Sequence, residues 1–361
     1  MSISEDADLM MTFPEAEVIC TAPDGSKAWH DARRQGIGGS DVAAVLGFVP
    51  KYSSPLKVFL EKRGELPKQH RSASLEEAAD FGRLMEPIIR EQWAKRTGHQ
   101  FVLAPGTLAR PDAPWMRVNL DGVAIEGEGR YGVLECKNRS EYQLGDWEGG
   151  IPDPVAVQAM WGMAVTGYGF AHVAAVIGGN KFRTWRIERD EDAIGDLIDL
   201  MAEFWHNTAA GIRPSIDSSE ATSALLSQIH GVDPAKVTRA RRDLIEPLLA
   251  RDKELRAQKK RVEEELRGVK NRLHDTAGAA YEVWPEDEAT DLALYELKPN
   301  GTFSVKGFTE AYPDLAALFM RKVEALDTKA LAREHPKEYT EHRARVLRVP
   351  SPKKSKKRSP R

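Results

Sequence analysis

Apolar positions recur at helical spacing in some stretches of the chain and in short continuous or alternating runs in others, and the two patterns alternate over the first two-thirds of the sequence. Gly38-Gly39-Ser40-Asp41 supplies a turn and an N-cap ahead of the apolar run from Val42 to Leu46, which predicts a helix starting at Ser40. A second helix is expected over residues 55–63, ended by Gly64, and a polar loop with a helical start over 68–79. A third helix is expected over 81–97 with Gly98 as its C-cap. Pro87 inside it demands either a start near Leu84 or a kink. Short strands are expected at 100–103, 107–110, 115–124 and 131–137, followed by a helix over 153–166 that Gly167 ends. A strand pair at 172–177 and 182–188, turned at Gly178-Gly179-Asn180, and a helix over 190–210 complete the series. Helices around a short mixed sheet define an α/β core, expected to occupy residues 26–215 behind a loose acidic lead of 25 residues.

The pattern changes over 233–278. Charged residues dominate there, yet Leu248, Leu255, Val262 and Val269 recur every seven residues. The companion heptad positions are Ile245, Asp252, Lys259, Leu266 and Leu273, so the apolar seam is complete only at its ends. An amphipathic helix packed on its own core and a coiled-coil arm fit this pattern equally. Residues 279–349 read as a small appended module, and 350–361 as a basic tail whose composition predicts disorder.

Composition narrows the classes. A chain of 361 residues exceeds the usual size of one domain. Its two cysteines, Cys20 and Cys136, show no metal-ribbon spacing, and so few thiols suit a reducing cytoplasm. No apolar run approaches the roughly 18 residues of a membrane span, and the acidic N-terminus is unlike a signal peptide. The net charge of −3 hides an asymmetry: residues 343–361 carry nine Lys or Arg and no acid, and the remainder is at −12. A body that binds DNA must therefore concentrate its positive charge locally.

The candidate chemistry lies in residues 118–138, VNLDGVAIEGEGRYGVLECKN, which read as strand, turn, strand. Side chains alternate along a strand, so Glu135 and Lys137 share one face while Leu134 and Cys136 take the other. With Asp121, which precedes Gly122 at the end of the neighbouring strand, Glu135 offers hard oxygen ligands suited to Mg²⁺, and Lys137 stands where it can orient water or steady a phosphate. A solvated surface hairpin would carry the same letters. Glu86 falls on a helix face with Gly82, Ile89 and Trp93, where a carboxylate needs an arginine, a proton or a metal. Gln158 lies among apolar residues in mid-helix, fit for a water or for a core hydrogen bond. In the segment WHDARRQGIGGSD, Arg33, Arg34 and Ser40 could grip a phosphate where a glycine turn meets a helix N-terminus, or simply form a capped surface helix.

These pieces occur in one order: Arg33 with Ser40 seven residues on, Glu86 in GRLME, Asp121-Gly122, Glu135-Cys136-Lys137, and VQAMWGMAVTG around Gln158. That order resembles the YqaJ-like and lambda exonuclease family, a branch of the PD-(D/E)XK nucleases, over residues 29–210; GIGGSDVAAVLG at 36–47 is especially close. The resemblance implies a restriction-endonuclease-like PD-(D/E)XK core. It makes Asp121, Glu135 and Lys137 the catalytic triad, Glu86 the helical acid that supports a second metal, and Gln158 the active-site glutamine. Arg33 and Ser40 become contacts to a 5′-phosphate, with Arg34 beside them. Members of the family digest one strand of duplex DNA from its 5′ end, using two Mg²⁺ ions for which Mn²⁺ can substitute. They hand the exposed 3′ strand to a single-strand annealing protein, and the lambda enzyme is a ring-shaped trimer. Two positions depart from the pattern: Leu120 replaces the usual proline, and Asn138-Arg139 follows the lysine. The resulting expectation is a Mg²⁺-dependent 5′–3′ exonuclease of a bacterial host cytoplasm. A structure-selective endonuclease on the same fold, which would cut closed circles, and a non-catalytic DNA-binding adaptor, which would cut nothing, are the alternatives.

Overall fold

The computed structural model describes residues 12–67, 73–127, 129–230, 236–286, 293–299, 302–320 and 325–341. It divides into two compact units that meet in sequence at Gly231 and Val232. The first unit contains, in chain order, β1 (Glu17–Cys20), α1 (Lys27–Arg34), α2 (Gly39–Val45), α3 (Pro55–Lys62), α4 (Ala73–Thr97), β2 (Gln100–Val102), β3 (Thr107–Ala109), β4 (Arg117–Val118), β5 (Gly122–Glu126) and β6 (Arg130–Arg139). A 3-10 turn (Glu141–Trp147) then leads to α5 (Asp153–Thr166), β7 (Phe170–Ile177), β8 (Lys181–Glu188), α6 (Glu191–Ala209) and α7 (Glu220–Ile229).

The main sheet has the order β2-β5-β6-β7-β8. Only β6 and β7 run parallel, joined across α5; the other neighbours are antiparallel. This is the mixed sheet flanked by helices expected of the α/β core. All eight residues of β7 are buried, as a strand covered on both faces requires. On one face α4 packs Ile89 and Trp93 against Leu134, Cys136, Phe170, Ala174 and Val176. On the other, Val155, Ala159 and Met163 of α5 join Val133, Val173 and Ala175. A side chain at Gly132 would put its Cβ 2.2 Å from the Phe170 ring, so β6 has room only for glycine there.

Several expectations change in detail. The expected strands at 107–110 and 115–124 contribute β3 and β4 to a separate three-stranded sheet with β1; only the end of the second stretch enters the main sheet, as β5. Residues 17–20 are thereby part of the fold rather than a loose lead. Helix α2 begins at Gly39, not Ser40: Gly38 is the N-cap, and the Asp41 carboxylate accepts its N–H at 2.8 Å. Helix α4 reaches back to Ala73 and runs through Pro87. Beyond the boundary expected near 215, α7 packs Leu225 against Leu56, Phe59 and Leu60 of α3, and Thr222 donates to the Ser54 hydroxyl at 2.8 Å.

Among the described residues, the second unit contains α8 (Arg242–Ala277), a short hairpin of Glu282–Val283 with Tyr295–Glu296 and four short helices between Val305 and Glu341. The basic tail at 350–361 lies outside the described residues.

Candidate active site

The site grows from a mismatch in strand length. Strand β5 pairs with β6 only as far as Gly122 opposite Leu134. From Glu135 to Arg139, β6 has β7 on one side and, among the described residues, no strand on the other. Asp121 fills the first gap in the ladder: its Oδ2 accepts the N–H of Cys136 at 2.7 Å. The Asp121 carbonyl in turn accepts Nη1 of Arg90, from α4, at 2.7 Å. The acid is therefore held at both its side chain and its backbone beside the strand that carries Glu135 and Lys137.

Glu135 and Lys137 project to the same face, as the alternation predicts, and form an ion pair. Glu86 reaches this place from α4, with its Oε2 4.0 Å from Arg90 Nη1. Gln158 enters from α5, where the start of α2 comes close; a Cβ on Gly39 would lie 3.6 Å from the Gln158 Cα. All five line one cleft of about 490 Å³ together with Arg33 and Ser40.

Burial, then the neighbouring Glu135 carboxylate, pushes Asp121 up to about 8, with Lys137 opposing. Glu86 is also raised, by burial first, against the pull of Arg90 and Lys137. For Lys137, burial favours the neutral amine, but Glu135 and Asp121 outweigh it and hold the group above its ordinary value. Three carboxylates thus converge on Lys137, and burial resists the ionisation of two of them, Asp121 and Glu86. A divalent cation bound by hard oxygens would relieve that strain, so the donor set of Asp121, Glu135 and Glu86 fits Mg²⁺.

Beside the carboxylates, Arg33 Nη2 donates to Ser40 Oγ at 3.2 Å, and its guanidinium stacks over Trp29 at 4.6 Å from the ring centre. Ser40 is not the cap of its helix, so its hydroxyl remains directed at Arg33. Arg34 is not brought in: it pairs with Asp31 and lies against Gly64, and it does not line the cleft. Behind this corner a buried ion pair of Lys62 with Asp41, 2.6 Å, ties α3 to α2, and Lys62 also donates to the Arg33 carbonyl at 2.9 Å.

Sequence reasoning missed several cleft residues: Asp24, Trp29, Arg83, Arg117 and Asn119. Asn119 Nδ2 donates to Thr107 Oγ1 at 3.1 Å, which steadies the approach to Asp121. Its proximity to Asp121 in sequence was the available signal. Arg139, noted only as a departure, continues the row of Glu135 and Lys137 along β6; burial lowers its pKa while Glu135 opposes.

A second group of ligand type, His99, Glu126 and His172, has its ligand atoms within 4.8 Å of one another. It sits at the other end of β5. Arg186 contacts both Glu126 oxygens, at 2.8 and 3.3 Å, Arg130 adds a contact at 3.2 Å and His172 Nε2 another at 2.8 Å. Arg186 chiefly, with His172, holds Glu126 down at about 2. With guanidinium groups already on both oxygens, this cluster reads as a buried ion-pair network rather than a cation site.

A mixed α/β sheet that presents D…E-x-K beside a helical glutamate defines a protein of PD-(D/E)XK class. Residues 28–169 match the family model of the YqaJ-like viral recombinase domain. The uncharacterized protein YqaJ of Bacillus subtilis is 33% identical over 269 residues, which cover 71% of this chain and 82% of that one. The chain belongs to the YqaJ-like viral recombinase family. Among solved structures, the alkaline exonuclease LHK-Exo of Laribacter hongkongensis, in complex with dAMP, is similar at a TM-score of 0.41 and 20% identity, over 52% of this chain and 94% of that chain. No helix among the described residues is long and apolar enough to cross a membrane.

Proposed function

We propose that this chain is a Mg²⁺-dependent exonuclease that digests one strand of duplex DNA from the 5′ end. The observation that carries the reading is the meeting of Asp121, Glu135, Lys137, Glu86 and Gln158, from four separate segments, in one cleft with Arg33 and Ser40. Asp121 and Glu135 would hold the catalytic ion, with Glu86 supporting a second; Mn²⁺ can replace Mg²⁺ in such an oxygen set. The bound metal supplies Lewis-acid stabilisation of the charge that develops on the scissile phosphate.

The chain's own groups do the rest. Lys137, kept charged by its two acids, steadies the phosphate and orients the attacking water, and Gln158 positions that water through its amide. The water oxygen bonds to phosphorus as the P–O3′ bond breaks, and the departing 3′-oxygen takes up a proton. The product strand then carries a new 5′-phosphate. Arg33 and Ser40 receive that terminal group, whose greater charge distinguishes an end from an internal diester, and so set the register for the next cut. DNA ends are the substrate, and the family reading adds a single-strand annealing protein as partner, a trimer as assembly and the bacterial cytoplasm as location.

End-labelled linear duplexes with 5′-phosphate or 5′-hydroxyl termini test the proposal, alongside closed circular DNA. Mononucleotides should appear from the 5′ label with Mg²⁺ or Mn²⁺, faster from phosphate ends, and none with chelator. Cutting of closed circles would replace this reading with an endonuclease, and no cutting of any DNA would leave only a binding role.

A further inference from the structure

The heptad seam of α8 is left bare by the fold. The helix spans 36 residues, about 54 Å at 1.5 Å per residue. Ile245, Leu248, Leu255, Val262, Leu266, Val269 and Leu273 lie along one stripe of it, and each is between 39% and 66% exposed. Among the described contacts of its own unit, Tyr295 Oη donates to the Leu273 carbonyl at the C-terminal end. A highly charged helix of this length gains little from propensity alone and needs a partner for its apolar stripe.

We infer that this stripe is covered by α8 of a second copy of the chain, running antiparallel. The polar residues that interrupt the seam choose the direction. In a parallel pair Asp252 would face Asp252 of the second copy, and Lys259 would face its own counterpart one heptad on, which stacks two like-charge layers in the middle of the core. In an antiparallel pair, apolar layers match when Leu248 lies opposite Leu266 of the second copy and Ile245 opposite its Val269. Asp252 then sits about 4.5 Å along the axis from Lys259 of the second copy. Arg251 lies about 3 Å along the axis from Glu265 of the second copy, on the same flank. The two-fold axis repeats both pairings.

The register brings Arg256 beside its mate at the axis, where each guanidinium is already bound within its own helix by Asp252, Nε to Oδ2 at 2.8 Å. Apolar layers thus close both ends of the pair, and the central charges fix direction and alignment. The inference concerns the second unit and stands independently of the nuclease reading.

Light scattering or sedimentation of the full chain gives the first test. The mass should be an even multiple of 40.2 kDa, a hexamer where trimeric nuclease units are paired through α8. Val262→Asp with Val269→Asp should halve it, because in the seam they would meet Asp252 and Ile245 of the second copy. Cysteine crosslinking tests direction. Leu248 and Leu266 are 18 residues apart, about 27 Å along one helix, too far for a disulfide within a chain. A chain carrying both Leu248→Cys and Leu266→Cys should form covalent dimers on mild oxidation, above the background of the wild-type cysteines, and chains carrying either alone should not. A monomeric or odd-numbered wild type, an unchanged mass in the Asp variant, or crosslinking of the single Leu248→Cys chain would each overturn the antiparallel pair.

Discussion

Replacing Asp121 with asparagine should make the metal-free protein more stable while it abolishes hydrolysis. Asp121 is a buried acid pushed from 3.8 up to about 8, mainly by burial and then by Glu135. A shift of that size corresponds to about 5 kcal/mol between the protonated and ionised forms. The sign follows from linkage. An acid whose folded pKa exceeds its unfolded value costs nothing below the unfolded value, near 4; the cost grows as pH rises and is complete above about 8. Asparagine retains an oxygen to accept the Cys136 N–H but has no charge to bury.

In chelator at pH 8.5 the variant should therefore outlast the wild type by up to about 5 kcal/mol, and at pH 3 the two should be equal. For a unit of this size that gain raises the unfolding temperature by roughly 10–20 °C. Tryptophan fluorescence reads the relevant transition, because seven of the eight tryptophans precede residue 231 and only Trp284 follows it. Mg²⁺ should stabilise the wild type by mass action and leave the variant unmoved. An asparagine variant no more stable at pH 8.5, or equally stabilised at both pH values, would show that Asp121 carries no buried-charge penalty and that the cleft is not poised for a cation.

Four further outcomes are expected. Lys137→Ala should lower turnover by about 10²–10⁴-fold with DNA binding retained, measured in single-turnover digestion; near-native rates would remove the lysine from the chemistry. Glu86→Gln should raise the Mg²⁺ concentration needed for half-maximal activity without lowering stability in chelator, because burial already disfavours its charge; a metal titration and a melt separate this from the loss of a structural ion pair. Arg33→Ala should erase the preference for 5′-phosphorylated ends, read as the ratio of rates on phosphate and hydroxyl duplexes, and an unchanged ratio would place the terminal phosphate elsewhere. Glu126→Gln should cost about 2 kcal/mol at pH 7, because Arg186 and His172 hold this buried carboxyl at about 2; the deficit should shrink as pH falls from 4 toward 2, and denaturant unfolding showing a pH-independent deficit would mean the loss is one of packing.

The parts of the site that were legible in the sequence rest on short-range geometry. Glu135 and Lys137 are two residues apart on a strand, so their shared face follows from the period of the backbone, and the apolar Leu134 and Cys136 between and beside them mark the opposite face. Glu86 was legible in the same way, from an acid set among Ile89 and Trp93 at helical spacing. What local pattern could not supply was partition between two sheets. Strands of two or three residues, such as Arg117–Val118 and Thr107–Ala109, have too little periodicity to reveal their partners, and β3 finds β1 some ninety residues away in sequence.

The corner around Arg33 shows how one unrecognised element changes a functional assignment. Residues 27–34 carry no expected helix, and without it Arg33 and Arg34 are equivalent neighbours of a glycine turn. As α1, they point about 100° apart. Arg33 shares a face with Trp29, four residues back, and is laid over its ring toward Ser40; Arg34 shares a face with Asp31, three back, and is spent on it. The start of α2 is shifted for a related reason. Asp41, not Ser40, satisfies the N–H of Gly38, while its other commitment, to Lys62, is a long-range contact with α3. Ser40 is thereby released from capping and left facing Arg33, the arginine of that helix that lines the cleft. The difference between a capped surface helix and a phosphate-binding corner thus turns on a contact between residues 41 and 62, which no reading of the glycine-rich segment alone contains.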